Sequence, residues 1–555
     1  MDMGQLFDRH RTVLGAALQA AQDRGYWSAY PEVPSGKIYG ETAKEDGLAA
    51  YRGRLGKPFA LPGHPGNGTV GAEISPYGPT LGITYPAAGA ATLVAASQGA
   101  AHAWANASPE VRVGVCLEIL ARLNRISFEM ANAVMHTTGQ AFAMAFQAGG
   151  PHAQDRGLEA VAYAWAEMTR TPAGAVWAKP QGKGEPIVLE KHWRIVPRGV
   201  SLVIGCQTFP TWNSYPGLFA SLATGNTVIV KPHPGAILPL ALTVLVAREV
   251  LAEEGFPADV VLLAADEPGA EITRELVQHQ EVAIVDYTGS NAFGEWVRKN
   301  AASREVYTEE AGVNSIVIAA TDDFAGMCAN IAFSLSLYSG QMCTAPQNIY
   351  VPRGGIETNE GPKSFDAVAA GIAAAVDALL ADPARAAGVC GAIANPATLL
   401  RIEAGRGLGR LLRSSTPLVG VEGARTATPM ILAVEGDQTS AHEEECFGPI
   451  AFVVAVDDAA QGIAHAAELA RRKGAITAAL YDTDETRIVE AADAFAAAGV
   501  NLSVNLTGGI FVNQSAAFSD FHVTGANPAG NACLTDTAFV AGRFRVAMWR
   551  RPMAA

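Results

Sequence analysis

From about residue 200 onward, short runs of consecutive apolar residues alternate with longer stretches whose apolar positions recur at helical spacing. Val200–Gly205 is such a run, with helical spacing near Leu218–Ala223. Thr227–Val230 is the next run, and Leu238–Ala252 the next helix. Val260–Ala264 and Val282–Val285 continue the alternation, with a helix between them. Unbroken apolar runs suit strands covered on both faces, the habit of parallel sheets. The order therefore predicts a doubly wound parallel sheet. A second unit follows the same rhythm. Ser315–Ala319, Asn348–Val351, Ile450–Val456 and Ile476–Tyr481 read as strands, and Asp366–Leu380, Ala459–Arg472 and Thr486–Ala498 as helices. Each unit spans about 200 residues.

The flanks read differently. Residues 86–170 are alanine-rich, with Val115, Leu117, Ile119, Leu120 and Leu123 at helical spacing, and predict two or three helices. Residues 1–85 read as an irregular extension draped over a larger fold, with the Gly/Pro-rich piece Pro62-Gly63-His64-Pro65-Gly66-Asn67-Gly68. Near the other end, Phe539–Val546 alternates as a strand with one apolar face.

Composition narrows the class. The 555 residues suggest roughly three or four domains. A hydrophobic share of 49% against 17% charged excludes a disordered or fibrous chain. The net charge of −14 is the wrong sign for wrapping nucleic acid. Seven cysteines with no C-x-x-C pair argue against a disulfide framework and a zinc ribbon, so no metal is expected, and they fit a reducing cytoplasm. Met1-Asp2-Met3-Gly4-Gln5 opens no basic-then-apolar leader, and no apolar stretch reaches the length of a membrane span.

Candidate chemistry centres on Cys343, in Ser339-Gly340-Gln341-Met342-Cys343-Thr344-Ala345. A thiol at a turn is placed to attack, its thiolate being the reactive form. Taken alone, a lone cysteine reads as a small buried hydrophobe. Five further motifs accompany it. They are Phe209-Pro210-Thr211-Trp212-Asn213, Ala223 through Pro232 with Lys231, Asp286-Tyr287-Thr288-Gly289-Ser290 with Gly294, Tyr307 through Asn314, and Glu443-Glu444-Glu445-Cys446-Phe447-Gly448-Pro449. In this order and spacing they closely resemble the aldehyde dehydrogenase superfamily, from about residue 86 to near the C-terminus. The long extension, the overall length and the modified Glu-Glu-Ala-Gly-Val-Asn motif are similar to a phenylacetate-degradation branch of it.

The resemblance implies an α/β fold with a Rossmann-type cofactor domain, an α/β catalytic domain and a small β projection for oligomerisation. The expected boundaries are an extension over 1–85, a dinucleotide-binding domain over 86–180 and 200–308, a catalytic domain over 309–525, and oligomerisation strands in 181–199 and 526–555. It implies Cys343 as nucleophile, Asn213 as an oxyanion donor and Glu309 as the base that activates water. Glu310 stands where an apolar residue is usual, and Ala311 and Val313 replace the usual Gly and Lys. The register therefore leaves Glu310 open as the base. Trp212, Lys231, Gly289, Ser290, Gly294, Glu445 and Phe447 match cofactor-contacting positions. Pro234 stands where an NAD-preferring relative carries a ribose-binding acid. A 2′-phosphate meets no repulsion there, so NADP is expected, with NAD possible. His522 replaces part of a loop bordering the substrate mouth, and a simple loop residue is its expected role. Cys116, Cys206, Cys328, Cys390 and Cys533 read as core or loop residues. The implied activity is oxidation of an aldehyde, expected to be CoA-linked, to a carboxylate by a homodimer or larger homo-oligomer. A CoA-acylating dehydrogenase, disfavoured by Glu309, and a catalytically silent cofactor-binding scaffold are the alternatives.

Overall fold

The computed structural model describes residues 4–270, 272–301, 303–534 and 536–553. Met1–Met3, where the sequence shows no basic leader, lie outside them. Helix α1 (Gln5–Asp23) opens the described chain and is a departure from the irregular extension expected there. It buries Leu6, Phe7, Leu14 and Ala17, one face at helical spacing, against the helices Pro109–Arg125 and α2 (Pro151–Thr169). A second helix, Ala43–Arg54, packs on Ser127–Thr138. The Gly/Pro-rich piece between Pro62 and Asn67 holds no helix or strand.

A three-stranded antiparallel sheet follows, ordered β15–β2–β1 from β1 (Gly174–Gln181), β2 (Gly184–Pro197) and β15 (Phe544–Pro552). Strand β1 was not anticipated: its apolar run Ala175–Ala178 is short and ends at Lys179 and Pro180, and every residue of the strand is exposed. Ala538–Ala541 is a helical turn rather than the start of β15. It buries Phe539 and Val540, and Arg543 behind it grips both oxygens of Asp286 at 2.8 and 2.6 Å.

The first α/β unit is an all-parallel sheet. Its strands are β3 (Val200–Ile204), β4 (Thr227–Lys231), β5 (Val261–Leu263), β6 (Val282–Gly289) and β7 (Glu305–Glu310), in the order β5–β4–β3–β6–β7. The chain runs outward from β3 to β5 and then returns to place β6 on the other side of β3. That reversal opens a crevice beyond the carboxyl ends of β3 and β6, where such folds hold ligands. Helix α3 (Pro210–Ala223) leaves β3 there, and α4 (Asn291–Asn300) leaves β6.

The second unit is a seven-stranded sheet. Its strands are β8 (Asn314–Ile318), β9 (Pro346–Pro352), β10 (Arg410–Arg413), β11 (Met430–Glu435), β12 (Ile450–Val456), β13 (Thr477–Tyr481) and β14 (Asn501–Val504). The order is β10–β11–β12–β9–β8–β13–β14, parallel except for the β10–β11 pair. A few residues join β7 to β8, so the carboxyl end of one sheet meets the amino end of the other. Glu309, Asn213, Cys343 and Asn314, from three of the segments singled out at the residue level, meet beside this seam. Among the described residues, no single helix is long and apolar enough to cross a membrane.

Candidate active site

Successive strand residues point to opposite faces of a sheet. At the end of β7 this separates the two adjacent glutamates. Glu310 turns toward α4, ion-pairs with Arg298 and fills the space a side chain at Gly294 would need. Glu309 turns the other way, toward Cys343. Its Oε1 lies 3.7 Å from Cys343 Sγ, accepts from Asn213 Nδ2 at 2.9 Å, and sits 2.8 Å from His522 Nε2. Its Oε2 is buried without a protein partner.

Cys343 is held by a turn with an uncommon backbone. Tyr338, Ser339 and Gly340 occupy the left-handed region in succession, with φ of 52°, 51° and 63°. A non-glycine residue there costs about 1–2 kcal/mol, so such a run persists only where the surroundings enforce it. The surroundings are buried hydrogen bonds. The Tyr338 hydroxyl donates to the Thr138 carbonyl, and Ser339 Oγ to the carbonyls of Ala427 (2.8 Å) and Cys390 (3.1 Å). Gln341 donates to Ala392 O at 3.0 Å and accepts from Ala394 N at 2.8 Å. Asn314 Nδ2 donates to the carbonyls of Cys343 (2.8 Å) and Ala345 (2.9 Å), while its Oδ1 accepts from Ile476 N and Thr477 N. Asn314 thus ties the start of β8, the thiol turn and the start of β13 together. Gly312 beside it has no room for a Cβ, which would meet the Gly474 carbonyl at 2.2 Å.

His522 is not a plain loop residue. It is buried, with Trp212 edge-on at 4.5 Å and Cys343 Sγ 4.0 Å from Nε2. Ser515 Oγ accepts from Arg156 at 3.1 Å and lies 3.5 Å from His522 Nδ1. Nε2 lies 2.8 Å from Glu309 Oε1, so a proton on Nε2 is donated to that carboxyl oxygen. Sequence reading undervalued this residue because the preceding seam residues and the C-terminal loop meet only in three dimensions. Burial, followed by the facing Glu309 carboxyl group and nearby Cys206, pushes the Cys343 thiol pKa well above its ordinary value. The thiol therefore rests protonated and needs a base within reach. Cys206, expected as a core or loop residue, also borders the site, donating to Asn213 Oδ1 at 3.6 Å.

The thiol and His522 open into a cavity of about 600 Å³. Trp212, expected at the cofactor, stands in the wall of this cavity beside Asn213 and His522, with Arg156 over its ring at 5.3 Å. The other expected cofactor residues lie outside the lining of this cavity. Lys231 ends β4, buried, with Nζ 2.7 Å from Asp266 Oδ1. Gly289 and Ser290 end β6 and lead into α4, whose first turn carries Gly294. Backbone N–H groups at such a helix start suit a pyrophosphate, and a lysine ends the neighbouring strand, so the residues present fit a dinucleotide. Glu445 and Phe447 lie partly buried in the segment whose Gly448 carbonyl presses on Gly340. Burial raises the Glu445 pKa to about 7 against the opposing pull of Arg401. Its neighbours Glu443 and Glu444 pair with Arg472 and Lys473.

Comparisons with known proteins agree with this geometry. The family model described as "Aldehyde dehydrogenase family" matches residues 68–518. The chain is 24% identical over 441 residues to the 1-pyrroline-5-carboxylate dehydrogenase of Bacillus subtilis (strain 168), covering 76% of this chain and 79% of that protein. Among solved structures, the NAD-dependent aldehyde dehydrogenase from Burkholderia multivorans is 55% identical, covers 99% of both chains and superposes with a TM-score of 0.98. A variant of the 1-pyrroline-5-carboxylate dehydrogenase of Thermus thermophilus has the same fold, with a TM-score of 0.76 at 20% identity over 95% of this chain and 99% of that one.

Proposed function

The chain belongs to the aldehyde dehydrogenase family, and we propose that it oxidises an aldehyde to a carboxylate through a thioester on Cys343. The observation that carries this reading is the convergence of Cys343, Glu309, Asn213 and His522 at the seam of the two sheets. Glu309 is the base that the protonated thiol lacks. It takes the Sγ proton as sulfur adds to the carbonyl carbon. Asn213 then turns its amide from Glu309 to the developing oxyanion, a donor of the kind worth about 3–4 kcal/mol of barrier. A nicotinamide bound in the crevice supplies the hydride acceptor. Once Glu309 has released the thiol proton to solvent and is again a carboxylate, its unpartnered Oε2 is free to take a proton from the water that hydrolyses the thioester. His522 holds Oε1 throughout and keeps the carboxyl group aimed at the sulfur.

NAD is the cofactor this reading favours. The resemblance places Pro234 where an acid would meet the ribose, but the charge expected from Lys231 is already matched by Asp266. The attraction for a 2′-phosphate that favoured NADP is thereby cancelled. The relative from B. multivorans is itself described as NAD-dependent.

The narrower reading places the substrate in phenylacetate degradation, as a CoA-linked semialdehyde, on the resemblance to the phenylacetate-degradation protein PaaN. The projecting sheet β15–β2–β1 supports a homo-oligomer: Val176, Trp177, Val546, Met548 and Trp549 are exposed on it, and both edges are open. The seven cysteines are free thiols, in keeping with the cytoplasm as the proposed compartment.

The test is reduction of NAD and of NADP, followed by absorbance against free and CoA-linked aldehydes, with Cys343→Ala in parallel. Cys343→Ala is expected to abolish turnover and to bind cofactor as the wild type does. Turnover in that variant removes Cys343 from the nucleophile role.

A further inference from the structure

The family match begins at residue 68, yet the cavity above Cys343 is walled in part by residues well before it. Tyr26, Trp27, Ser28 and Glu32, just after α1, line the same cavity as Met342 and Cys343 of the thiol turn. This strap is seated by identifiable contacts. Ser28 Oγ donates to Asp155 Oδ2 at 2.6 Å, and Ala29 N to Asp155 Oδ1 at 3.0 Å. Glu32 sits 2.7 Å from His152 Nε2. Arg24 donates to Phe518 O at 3.2 Å, and the Trp27 ring meets Phe518 edge-on at 5.0 Å. The strap therefore bridges α2 to the loop that carries His522.

The lining has a definite chemistry. Trp27, Met144, Phe209, Trp212, Phe333 and Phe511 supply apolar and aromatic surface. Among the described lining residues, Arg156 is the only lysine or arginine, and it is buried and paired with Glu159 Oε2 at 2.8 Å. Three lining carboxyl groups, Glu32, Asp155 and Asp520, already hold partners from the protein. An anionic group brought inside this wall finds no free cation and several acids, and an unpaired buried charge is strongly disfavoured. About 600 Å³ is the size of a cavity that encloses a small organic molecule of many atoms.

We propose that residues 26–32 form the outer wall of the aldehyde site and select aldehydes whose carbon body inside that wall is bulky and uncharged. The proposal rests on the dehydrogenase reading above. A charged appendage on the substrate would lie beyond the strap.

The experiment measures kcat/KM for propanal, octanal and 8-oxooctanoate, the last being octanal with a carboxylate at its far end. Wild type is expected to prefer octanal over both by tenfold or more. In Trp27→Ala the octanal-to-propanal ratio is expected to fall about tenfold, and in Trp27→Leu by less, a variant that keeps an apolar wall should the alanine variant fail to fold. An unchanged ratio in both variants, or 8-oxooctanoate used as well as octanal by the wild type, overturns the proposal. Absence of turnover with every aldehyde overturns the dehydrogenase reading instead, so the two failures are told apart.

Discussion

The thiol turn and the N-terminal strap line one cavity and are built on opposite principles. The turn from Tyr338 to Cys343 holds three consecutive left-handed residues and is locked by hydrogen bonds to several separate segments, all of them hydroxyl, amide or carbonyl groups. The strap from Arg24 to Glu32 hangs on a few contacts, and one carboxyl group, Asp155, receives two of them. Reaction geometry tolerates little displacement, because the sulfur must stay within reach of Glu309. Choice of substrate tolerates more, and the molecule entrusts it to the less constrained wall.

The largest expected effect tests the side that carries the chemistry. Glu309→Gln is expected to slow both the first turnover and the steady state, since the protonated thiol and the hydrolytic water lose the same base. Loss of a general base lowers steady-state kcat by roughly 10²–10⁴-fold. Glu310→Gln, on the opposite face of β7 and bound to Arg298, is expected to change kcat by less than about tenfold. Rapid-quench kinetics with intact-mass detection of the adduct separates the two. Such slowing in the Glu310 variant alone assigns the base to the other face of the strand.

That pair also shows how far residues could be read in order. Both glutamates were visible as candidates, but their roles depend on which face of a strand each occupies, and that requires the register of β7 on β6. The sheets themselves were legible because parallel strands are covered on both sides and leave unbroken apolar runs, as in Val200–Ile204 and Ile450–Val456. Strand β1 left only a short trace of this kind, being exposed along its length. Phe539 and Val540 fit a strand pattern, yet the helical turn that packs Phe539 on Tyr307 prevails in the fold. The strap was invisible for a plainer reason. Residues 24–32 meet residues 152–156 and 518, partners more than a hundred positions away. His522 escaped for the same reason, its contacts with Glu309 and Cys343 spanning some 180 residues or more.

A second prediction asks how rigid the turn is. At Gly340, φ is 63°, and an added Cβ would meet the Gly448 carbonyl at 2.6 Å, a backbone atom that cannot swing aside. Gly340→Ala combines left-handed strain with that clash and is expected to cost about 2–4 kcal/mol, read as a lowered urea midpoint. Activity should fall with it, because Cys343 lies three residues on. A variant as stable and active as wild type means that the turn relaxes freely and the contrast with the strap is unfounded.

The smallest effect probes the strap through the carboxyl group that receives two of its hydrogen bonds. Burial raises the Asp155 pKa to about 7, with the bonds from Ser28 and Ala29 opposing that rise. In the unfolded chain the group has an ordinary aspartate value of about 4. Between those values the native state keeps a proton that the unfolded chain has released. Stability then falls as pH rises, since the slope follows protons bound in the unfolded state minus those bound in the native one. A shift of about three units sets an upper bound of about 4 kcal/mol, and relaxation of the strap is expected to leave about 1 kcal/mol. Asp155→Asn removes the titration and keeps the shape. Its Oδ1 can accept from Ala29 N–H, and its amide can donate to Ser28 Oγ. Wild type should therefore lose more thermal stability than the variant between pH 5 and pH 8, with the two curves closest at the acid end. Every other titrating group is common to both proteins, so the difference curve reports the Asp155 carboxyl group and the groups coupled to it. Parallel curves would show that Asp155 stays ionised in the fold and that the strap is anchored as firmly as the thiol turn.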